Sequence, residues 1–407
     1  MMILQMLSVF IALFLSNSAQ GANLSLFINK ETDLKVPEII SKYGYPVENH
    51  YVTTKDGYIL NLHRIPYGKD QAFGARPIVY IQHGVLSSSA DWIIAGPEKG
   101  LAFVMADAGY DVWLGNSRGN RYSRNHTSLD PDRDASEFWN FSWHEMGIYD
   151  LPAAIDYALD IGKQKRLFYI GHSQGTTVFY VMASQLPEYN SKVTAHFSMA
   201  PIAYVNHLAS PMLKYMALFQ YQLEFFYSLF GKHEFVPTDS FMHNMTKLYC
   251  QLEPWKTMCA NSLFMMCGYN PKQFNMTLLP TIMGHTPAGA ATKQFMHYTQ
   301  EINSGMFRQF DFGYFGNWIN YNSAFPPKYN LAKVSSPGYF LYSRNDWLSS
   351  ETDVLKLYKE IGNPAAKILI QDPMWNHLDY MWGIEAVPLV YNKIITLMMS
   401  HVDFSLI

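Results

Sequence analysis

The segment RLFYIGHSQGTTVFYVMASQL, residues 166–186, decides the fold of this chain. Its opening residues are mostly apolar and predict a short buried strand, which ends at the Gly-x-Ser-x-Gly motif around Ser173. Apolar residues then recur at helical spacing, at Val178, Val181, Met182 and Leu186. A strand, a tight turn with a serine and a helix form a nucleophile elbow, in which the glycines let strand and helix approach closely. The segment therefore predicts an α/β fold with Ser173 as the candidate nucleophile.

The alternation of strands and helices continues on both sides of this segment. Residues 50–66 predict a β-hairpin around the turn KDG. Apolar strand patterns fall at 77–84, 110–115, 166–171, 194–201, 337–346 and 366–373, and helical patterns fall at 101–109, 148–162 and 176–186. Short apolar strands that alternate with helices predict a mostly parallel sheet with helices on both faces.

The alternation stops between about residues 205 and 331. Residues 211–231 predict a long apolar, aromatic helix, and its Lys214 and Glu224 argue against a membrane span. We therefore expect one α/β core in two parts, 22–204 and 332–407, interrupted by a mainly helical insertion at 205–331.

Composition and charge exclude one class of function. The chain has 407 residues and a net charge of −3, and it shows no basic stripe, so a nucleic-acid partner is not expected. Charged residues make up 15% of the chain, below the usual value of about 25%. Such a composition predicts a large core and some exposed apolar surface, which suits both an ordinary large enzyme and a protein that meets lipid.

The N-terminus predicts a cleaved secretory signal at residues 1–21. Residues 7–15 form an apolar stretch too short to span a bilayer, and Ala19 and Gly21 are small residues before a possible cleavage point. The alternative is an N-terminal membrane anchor. Secretion agrees with Asn-x-Ser/Thr motifs for glycosylation at Asn125, Asn140, Asn244 and Asn275. We expect a secreted protein, in an extracellular space or gut lumen, with a lysosomal destination as the other possibility.

The three cysteines, Cys250, Cys259 and Cys267, lie close together in the insertion. An odd number in an oxidising compartment predicts one disulfide and one free thiol, and the bridge would stabilise a local segment only. A zinc site is the rival interpretation, but no Cys-x-x-Cys pair or close Cys/His pair supports it.

A second Gly-x-Ser-x-Gly motif, GNSRG at 115–119, surrounds Ser117. A strand pattern precedes it, but the residues that follow, NRYSRNHTSLDPDRD, are polar and rich in turn formers. Because no helix pattern follows Ser117, we favour Ser173 as the nucleophile and expect GNSRG to be a loop shaped by its glycines.

In folds with a nucleophile elbow, an acidic residue and then a histidine follow the serine along the chain. This order suggests partners for Ser173. Asp346 and Asp372 each follow a strand pattern, and Asp346 comes directly after its strand. His377 follows the last strand and Asp346, so the pair Asp346 and His377 is preferred. The other histidines of the insertion and C-terminus are His207, His233, His243, His285, His297 and His401.

Two backbone N–H groups are expected to stabilise an oxyanion. One belongs to Gln174, directly after the nucleophile, and the other to Val85, in the loop that ends the strand at 77–84. His83 precedes the serine in the chain, so we expect it to hold this loop instead of acting as the base.

Several motifs together make the chain resemble the acid lipase family, which includes gastric lipase, lysosomal acid lipase and insect relatives. They are VTTKDGYIL, QHGVLSSSADW, MADAGYDVWLGNSRGN, SWHEMGIYDLPAAIDY, GHSQGTT, the cysteine spacing, PAG at 287–289 and NHLDYMW. The similarity runs from about residue 41 to the end. It implies an α/β-hydrolase core with a helical cap and lid, a Cys250–Cys259 disulfide with Cys267 free, and GNSRG in a loop.

The resemblance also implies a site and a reaction, and suggests an insect member. It places the nucleophile at Ser173, the acid at Asp346, the base at His377 and the oxyanion donors at Val85 and Gln174. Val85 stands where the family's HGLL has leucine. The implied activity is acyl-enzyme hydrolysis of neutral lipid esters, triacylglycerols or cholesteryl esters, at a lipid–water interface and without a cofactor or metal. The alternatives are a carboxylesterase for small soluble esters and a non-catalytic lipid-binding relative.

Overall fold

A computed structural model describes residues 32–69, 74, 76–220, 222, 234–235 and 249–401. The predicted signal at 1–21 and the glycosylation motif at Asn244 therefore lie outside the described residues. Residues 221 and 223–231 of the predicted long helix also lie outside them.

Eight strands form one sheet at the centre of the molecule. They are β1 (Glu48–Thr53), β2 (Ile59–Ile65), β3 (Ile78–Gln82), β4 (Asp111–Leu114), β5 (Leu167–His172), β6 (Val193–Met199), β7 (Gly338–Tyr342) and β8 (Pro364–Leu369). Their order is β1-β2-β4-β3-β5-β6-β7-β8. The hairpin β1–β2 and the pair β2–β4 are antiparallel, and the pairs from β4 through β3, β5, β6 and β7 to β8 are parallel. The predicted hairpin and the mostly parallel sheet are confirmed.

Helices of at least seven residues precede, connect and follow these strands in the described part of the chain. They are α1 (Val36–Lys42), α2 (Leu101–Asp107), α3 (Leu151–Gly162), α4 (Gln174–Gln185), α5 (Pro211–Leu218), α6 (Trp255–Cys267), α7 (Leu279–His285), α8 (Thr292–Ser304), α9 (Gly313–Tyr321), α10 (Glu351–Glu360) and α11 (Asn392–Met399). Shorter helical turns occupy Ser89–Trp92, Ala135–Phe138, Trp143–Glu145, Met146–Asp150, Pro187–Lys192, Leu331–Lys333, Asp379–Trp382 and Val387–Tyr391. No described helix is both long and apolar enough to cross a bilayer.

The central strand β5 shows how helices cover both faces of the sheet. All six of its residues are buried, and successive side chains point to opposite faces. Phe168 and Ile170 pack in the same core as α2 and α11, while Leu167 and Tyr169 pack with α3, α4 and α10. A strand buried on both faces must be apolar throughout, which explains the uninterrupted LFYI pattern.

The chain between β6 and β7 is mainly helical, as the sequence predicts. It contains α5 to α9 and a two-residue ladder that pairs Glu234–Phe235 with Ala290–Ala291. Helix α5 ends at Leu218, so the predicted long helix is interrupted there, and its extent beyond residue 222 stays a prediction. The limits 205 and 331 of the insertion stay a prediction.

The cysteines agree with the pairing that the resemblance implied. A disulfide joins Cys250 to Cys259, with Cα atoms 5.8 Å apart. Cys267, the last residue of α6, is buried and unbridged. Both bridged residues belong to the insertion, so the disulfide links the start of α6 to the segment before it.

Candidate active site

Ser173 lies in a strained turn between β5 and α4. Its backbone has φ 53° and ψ −122°, a conformation that residues other than glycine rarely adopt. The Ser173 N–H donates to the carbonyl oxygen of Met199 on β6, at 3.1 Å. The turn therefore projects the serine beyond the carboxyl end of the sheet, where ligands bind in α/β folds.

The glycines of the motif are needed because backbone packs directly against them. A Cβ atom on Gly175 would lie 2.4 Å from the carbonyl oxygen of Gln82. A Cβ atom on Gly171 would lie 2.9 Å from the backbone of Gly175. Any larger residue at either position would push β3, β5 and α4 apart and move the serine.

Asp346 and His377 form a hydrogen-bonded pair close to this turn. His377 Nδ1 lies 2.9 Å from Asp346 Oδ2, and both residues are only 3% exposed. Asp346 Oδ1 also accepts the backbone N–H groups of Leu348 and Ser349, at 2.9 and 2.8 Å. With Nδ1–H donated to the carboxylate, the Nε2 atom of His377 is left free to accept a proton.

His172, the residue before the serine, holds His377 next to the turn at Ser173. The rings of His172 and His377 are 4.7 Å apart between centroids. His172 Nε2 lies 2.9 Å from the carbonyl oxygen of His377 and donates to it. The described hydrogen bonds of the His377 ring go to Asp346, and none joins it to the Ser173 hydroxyl.

The loop after β3 runs against the serine. A Cβ atom on Gly84 would lie 3.0 Å from the Ser173 Cβ and 3.5 Å from its Oγ, so only glycine leaves this space open. Val85 follows and lines the same cavity as Ser173. The backbone N–H groups of Val85 and Gln174 donate to no acceptor in the described part of the chain. Both are therefore available to an incoming oxygen.

The His83 side chain links this loop to the GNSRG motif at 115–119 through hydrogen bonds. Its Nδ1 donates to the Gly84 carbonyl oxygen at 2.7 Å, and its Nε2 accepts the Ser117 N–H at 3.1 Å. Burial lowers the pKa of His83 to about 4, so the neutral ring keeps both bonds at ordinary pH. These contacts agree with the structural role expected from the sequence.

Ser117 lies in a loop, as predicted. No helix follows it directly, since the next helical turn begins at Ala135. Its Oγ accepts a hydrogen bond from Gln82 Nε2 at 3.0 Å. A Cβ atom on Gly115 would lie 2.3 Å from the hydroxyl oxygen of the buried Tyr80, so the glycine is required for close packing here too.

An apolar cavity of about 570 Å³, counted with its open mouth, lies against Ser173. Helices α5 and α8 of the insertion supply much of its wall. Besides Ser173, the lining residues are Val85, Ile202, Val205, Leu208, Leu213, Met216, Phe295, Tyr298, Thr299, Ile302 and Leu348. The Thr299 hydroxyl donates a hydrogen bond to the Met296 carbonyl oxygen, and the Tyr298 hydroxyl is hydrogen-bonded to Thr177 Oγ1. Because both hydroxyls already have partners, the wall suits an apolar chain without polar substituents.

Comparison with known proteins places this chain in a family. The model described as "Partial alpha/beta-hydrolase lipase region" matches residues 36–96, and "alpha/beta hydrolase fold" matches residues 77–384. Lipase 3 of Drosophila melanogaster is 43% identical over 89% of this chain and 92% of its own length. The chain belongs to the acid lipase family.

Other members of the family match over similar lengths. The human lysosomal acid lipase/cholesteryl ester hydrolase is 38% identical over 95% of this chain and 96% of its own. Gastric triacylglycerol lipase of Rattus norvegicus is 37% identical over 91% and 93%. A soluble variant of monoglyceride lipase from Saccharomyces cerevisiae shares the fold, with a TM-score of 0.55 and 15% identity over 89% of this chain and 98% of its own.

The insertion of this acid lipase holds the loops that carry Asp346 and His377 through contacts that the sequence did not reveal. The carbonyl oxygen of Cys267, at the end of α6, accepts the N–H groups of both His377 and Trp347 at 3.3 Å. Asp379, 2% exposed, accepts from the Asn376 N–H and from Asn270 Nδ2, each at 2.8 Å. Burial raises the pKa of Asp379 to about 7. The contacts of Cys267 and Asn270 join residues about 80 to 110 positions apart, for which no local pattern exists.

The described glycosylation motifs lie at the surface. Asn125, Asn140 and Asn275 are exposed, and the Oδ1 atom of Asn140 accepts a hydrogen bond from Lys293 Nζ at 2.9 Å. Glycan attachment at all three stays a prediction. Among the described residues, no three His, Cys, Asp or Glu side chains are grouped so that they could hold a metal ion.

A buried acid on α8 predicts a pH-dependent stability. Glu301 is 1% exposed, and neither carboxyl oxygen accepts a hydrogen bond within the described chain. Burial raises the pKa of Glu301 well above its usual range, and Arg308 offsets this only in part. The folded protein thus holds this proton more tightly than the unfolded chain does. Its stabilising contribution is complete below the unfolded pKa of about 4.3 and is lost as pH rises through the folded pKa.

A Glu301→Gln variant is expected to keep its stability better than the wild type as pH rises from 5 to 8, because its amide cannot ionise. The difference is limited to about 1.4 kcal/mol per pH unit, the contribution of one proton. Urea denaturation of both proteins across this range measures it. Parallel pH profiles for the two proteins would contradict the assignment.

Proposed function

We propose that this chain is a serine lipase that hydrolyses esters of neutral lipids, triacylglycerols or cholesteryl esters. The observation that carries the proposal is the hydrogen-bonded pair Asp346–His377 beside the strained Ser173, at the wall of an apolar cavity. The names of the similar lipases support the same substrate class.

In the proposed mechanism, His377 Nε2 removes the Ser173 proton as Oγ attacks the ester carbonyl carbon. The carbonyl oxygen becomes an oxyanion, to which the Val85 and Gln174 N–H groups donate. Asp346 holds the imidazole in the working tautomer and offsets its positive charge. The imidazolium then gives its proton to the leaving alcohol, and water hydrolyses the acyl-enzyme by the same steps.

A lipase and a carboxylesterase differ in the physical state of the ester that they hydrolyse. A carboxylesterase acts on dissolved short-chain esters, whereas a lipase becomes faster when its substrate is emulsified. We expect hydrolysis of triolein and cholesteryl oleate, and a rise in rate when long-chain esters pass from monomers to aggregates. No such rise would favour the carboxylesterase, and no hydrolysis of any ester would favour a non-catalytic lipid-binding protein.

The cavity wall gives a second test of the substrate class. An Ile302→Trp variant fills part of the cavity and is expected to lower kcat/KM for long-chain esters about tenfold or more. Butyrate esters need little of the cavity and should keep their rate. Ile319→Trp, at a position 85% exposed, is the matched control and should change neither rate. An equal loss for short and long chains would contradict acyl binding in this cavity.

We further propose that the protein enters the secretory route and acts on lipid surfaces outside the cytosol. The exposed motifs at Asn125, Asn140 and Asn275 and the disulfide support this proposal. Mass spectrometry of protein secreted from insect cells tests it, because glycans at these positions and a new N-terminus near residue 22 are expected. Unglycosylated protein that stays inside the cells would contradict it.

A further inference from the structure

The side chain of Gln174 is buried and makes a specific contact with the insertion. Gln174 is 2% exposed, and its Nε2 atom donates to Oε1 of Gln294 at 2.8 Å. Gln294 is itself only 1% exposed. Gln174 Nε2 also lies 3.5 Å from the Met146 sulfur, a weak acceptor, while Gln174 Oε1 has no partner among the described residues. The bond to Gln294 is therefore the strong interaction that orients this amide.

Gln294 lies on the helix that forms part of the cavity wall. Its neighbour Phe295 and the following Tyr298 and Thr299 of α8 line the cavity together with Ser173. The two glutamines are 120 positions apart in sequence. One hydrogen bond thus ties the wall that would hold the acyl chain to the residue directly after the nucleophile.

We propose that Gln294 is a positioning residue that fixes the oxyanion site through Gln174, an inference that rests on the proposed function. The Gln174 backbone N–H is one of the two expected oxyanion donors, and it lies at the first turn of α4, where no intrahelical acceptor restrains it. Donors must be held in place before the reaction to stabilise the transition state, and a displacement of about 1 Å costs about a hundredfold in rate.

The experiment replaces Gln294 and measures kcat and KM separately on a soluble p-nitrophenyl butyrate. Gln294→Leu is expected to lower kcat about tenfold to a hundredfold and to leave KM within about twofold, because the loss concerns the transition state. Gln300→Leu is the matched control. Gln300 lies on the same helix, is 5% exposed and bonds to the backbone of Asp311 at 2.8 and 2.9 Å, so its loss should not alter kcat.

A Gln174→Leu background distinguishes a positioning role of Gln294 from general damage to the fold. In a Gln174→Leu protein the backbone donor remains but the amide does not, so adding Gln294→Leu should lower kcat no further. Thermal denaturation verifies that each variant folds, and Gln294→Met replaces Gln294→Leu if that protein unfolds. A folded Gln294 variant with wild-type kcat, or equal losses in both backgrounds, would overturn the inference. An inactive wild type would instead overturn the proposed function.

Discussion

A Ser173→Ala variant is expected to lose about 10⁴–10⁶-fold in kcat on every ester that the wild type hydrolyses. Ser173 lies at the strained turn between β5 and α4, where Gly84 leaves space directly beside its Oγ. The variant removes the attacking atom but leaves the Asp346–His377 pair and the cavity intact. Release of p-nitrophenol and of fatty acid from triolein measures the loss.

Ser117→Ala is the matched control for this experiment. It alters the same kind of motif in the same protein, but the Ser117 hydroxyl accepts a hydrogen bond from Gln82 and makes no other side-chain contact of this kind with the described residues. We expect activity within a few-fold of the wild type and a similar melting temperature. The assignment of the nucleophile fails if Ser173→Ala keeps more than about one per cent of the activity, or if Ser117→Ala loses as much.

The two serine motifs show what sequence patterns can predict. Both follow a buried strand, and both have glycines against which backbone or side chains pack closely. Only the motif at Ser173 is followed by an apolar stripe of helical period, and only there does a helix form. The difference lies within twenty residues of chain, so local patterns detect it.

The sheet was predictable for the same reason, because each central strand is an apolar run between turns or helices. Helices α10 and α11 were not predicted, although both pack against the sheet through buried apolar residues at helical spacing, Val354 and Leu357 on α10 and Ile394 and Met398 on α11. The mainly helical character of the insertion was predictable, but its contacts with the rest of the chain were not. The hydrogen bonds of Gln294 to Gln174 and of Asn270 to Asp379 join distant segments and exist only once the chain is folded.

An Arg118→Leu variant is expected to lose about 3–5 kcal/mol in the free energy of unfolding. Arg118, in the second glycine motif, is 1% exposed and donates to Asp150 at 2.6 Å and to Asp56 at 2.6 Å. Its guanidinium also lies 3.9 Å from the centre of the Tyr58 ring. Burial raises the pKa of Asp150 and Arg118 offsets only part of this, so without the arginine this carboxylate has no buried counter-charge.

Two further variants show whether the loss comes from the unpaired carboxylate. Arg133→Leu removes an arginine whose side chain is 73% exposed, and it should leave the stability unchanged, since exposed pairs contribute little. Adding Asp150→Asn to Arg118→Leu should recover part of the loss, because the buried group is then neutral. Urea denaturation at pH 7 measures all four proteins. If adding Asp150→Asn increases the loss of stability, then Arg118 acts by packing against Tyr58. The GNSRG loop would in that case stabilise the fold by shape complementarity and not by charge pairing.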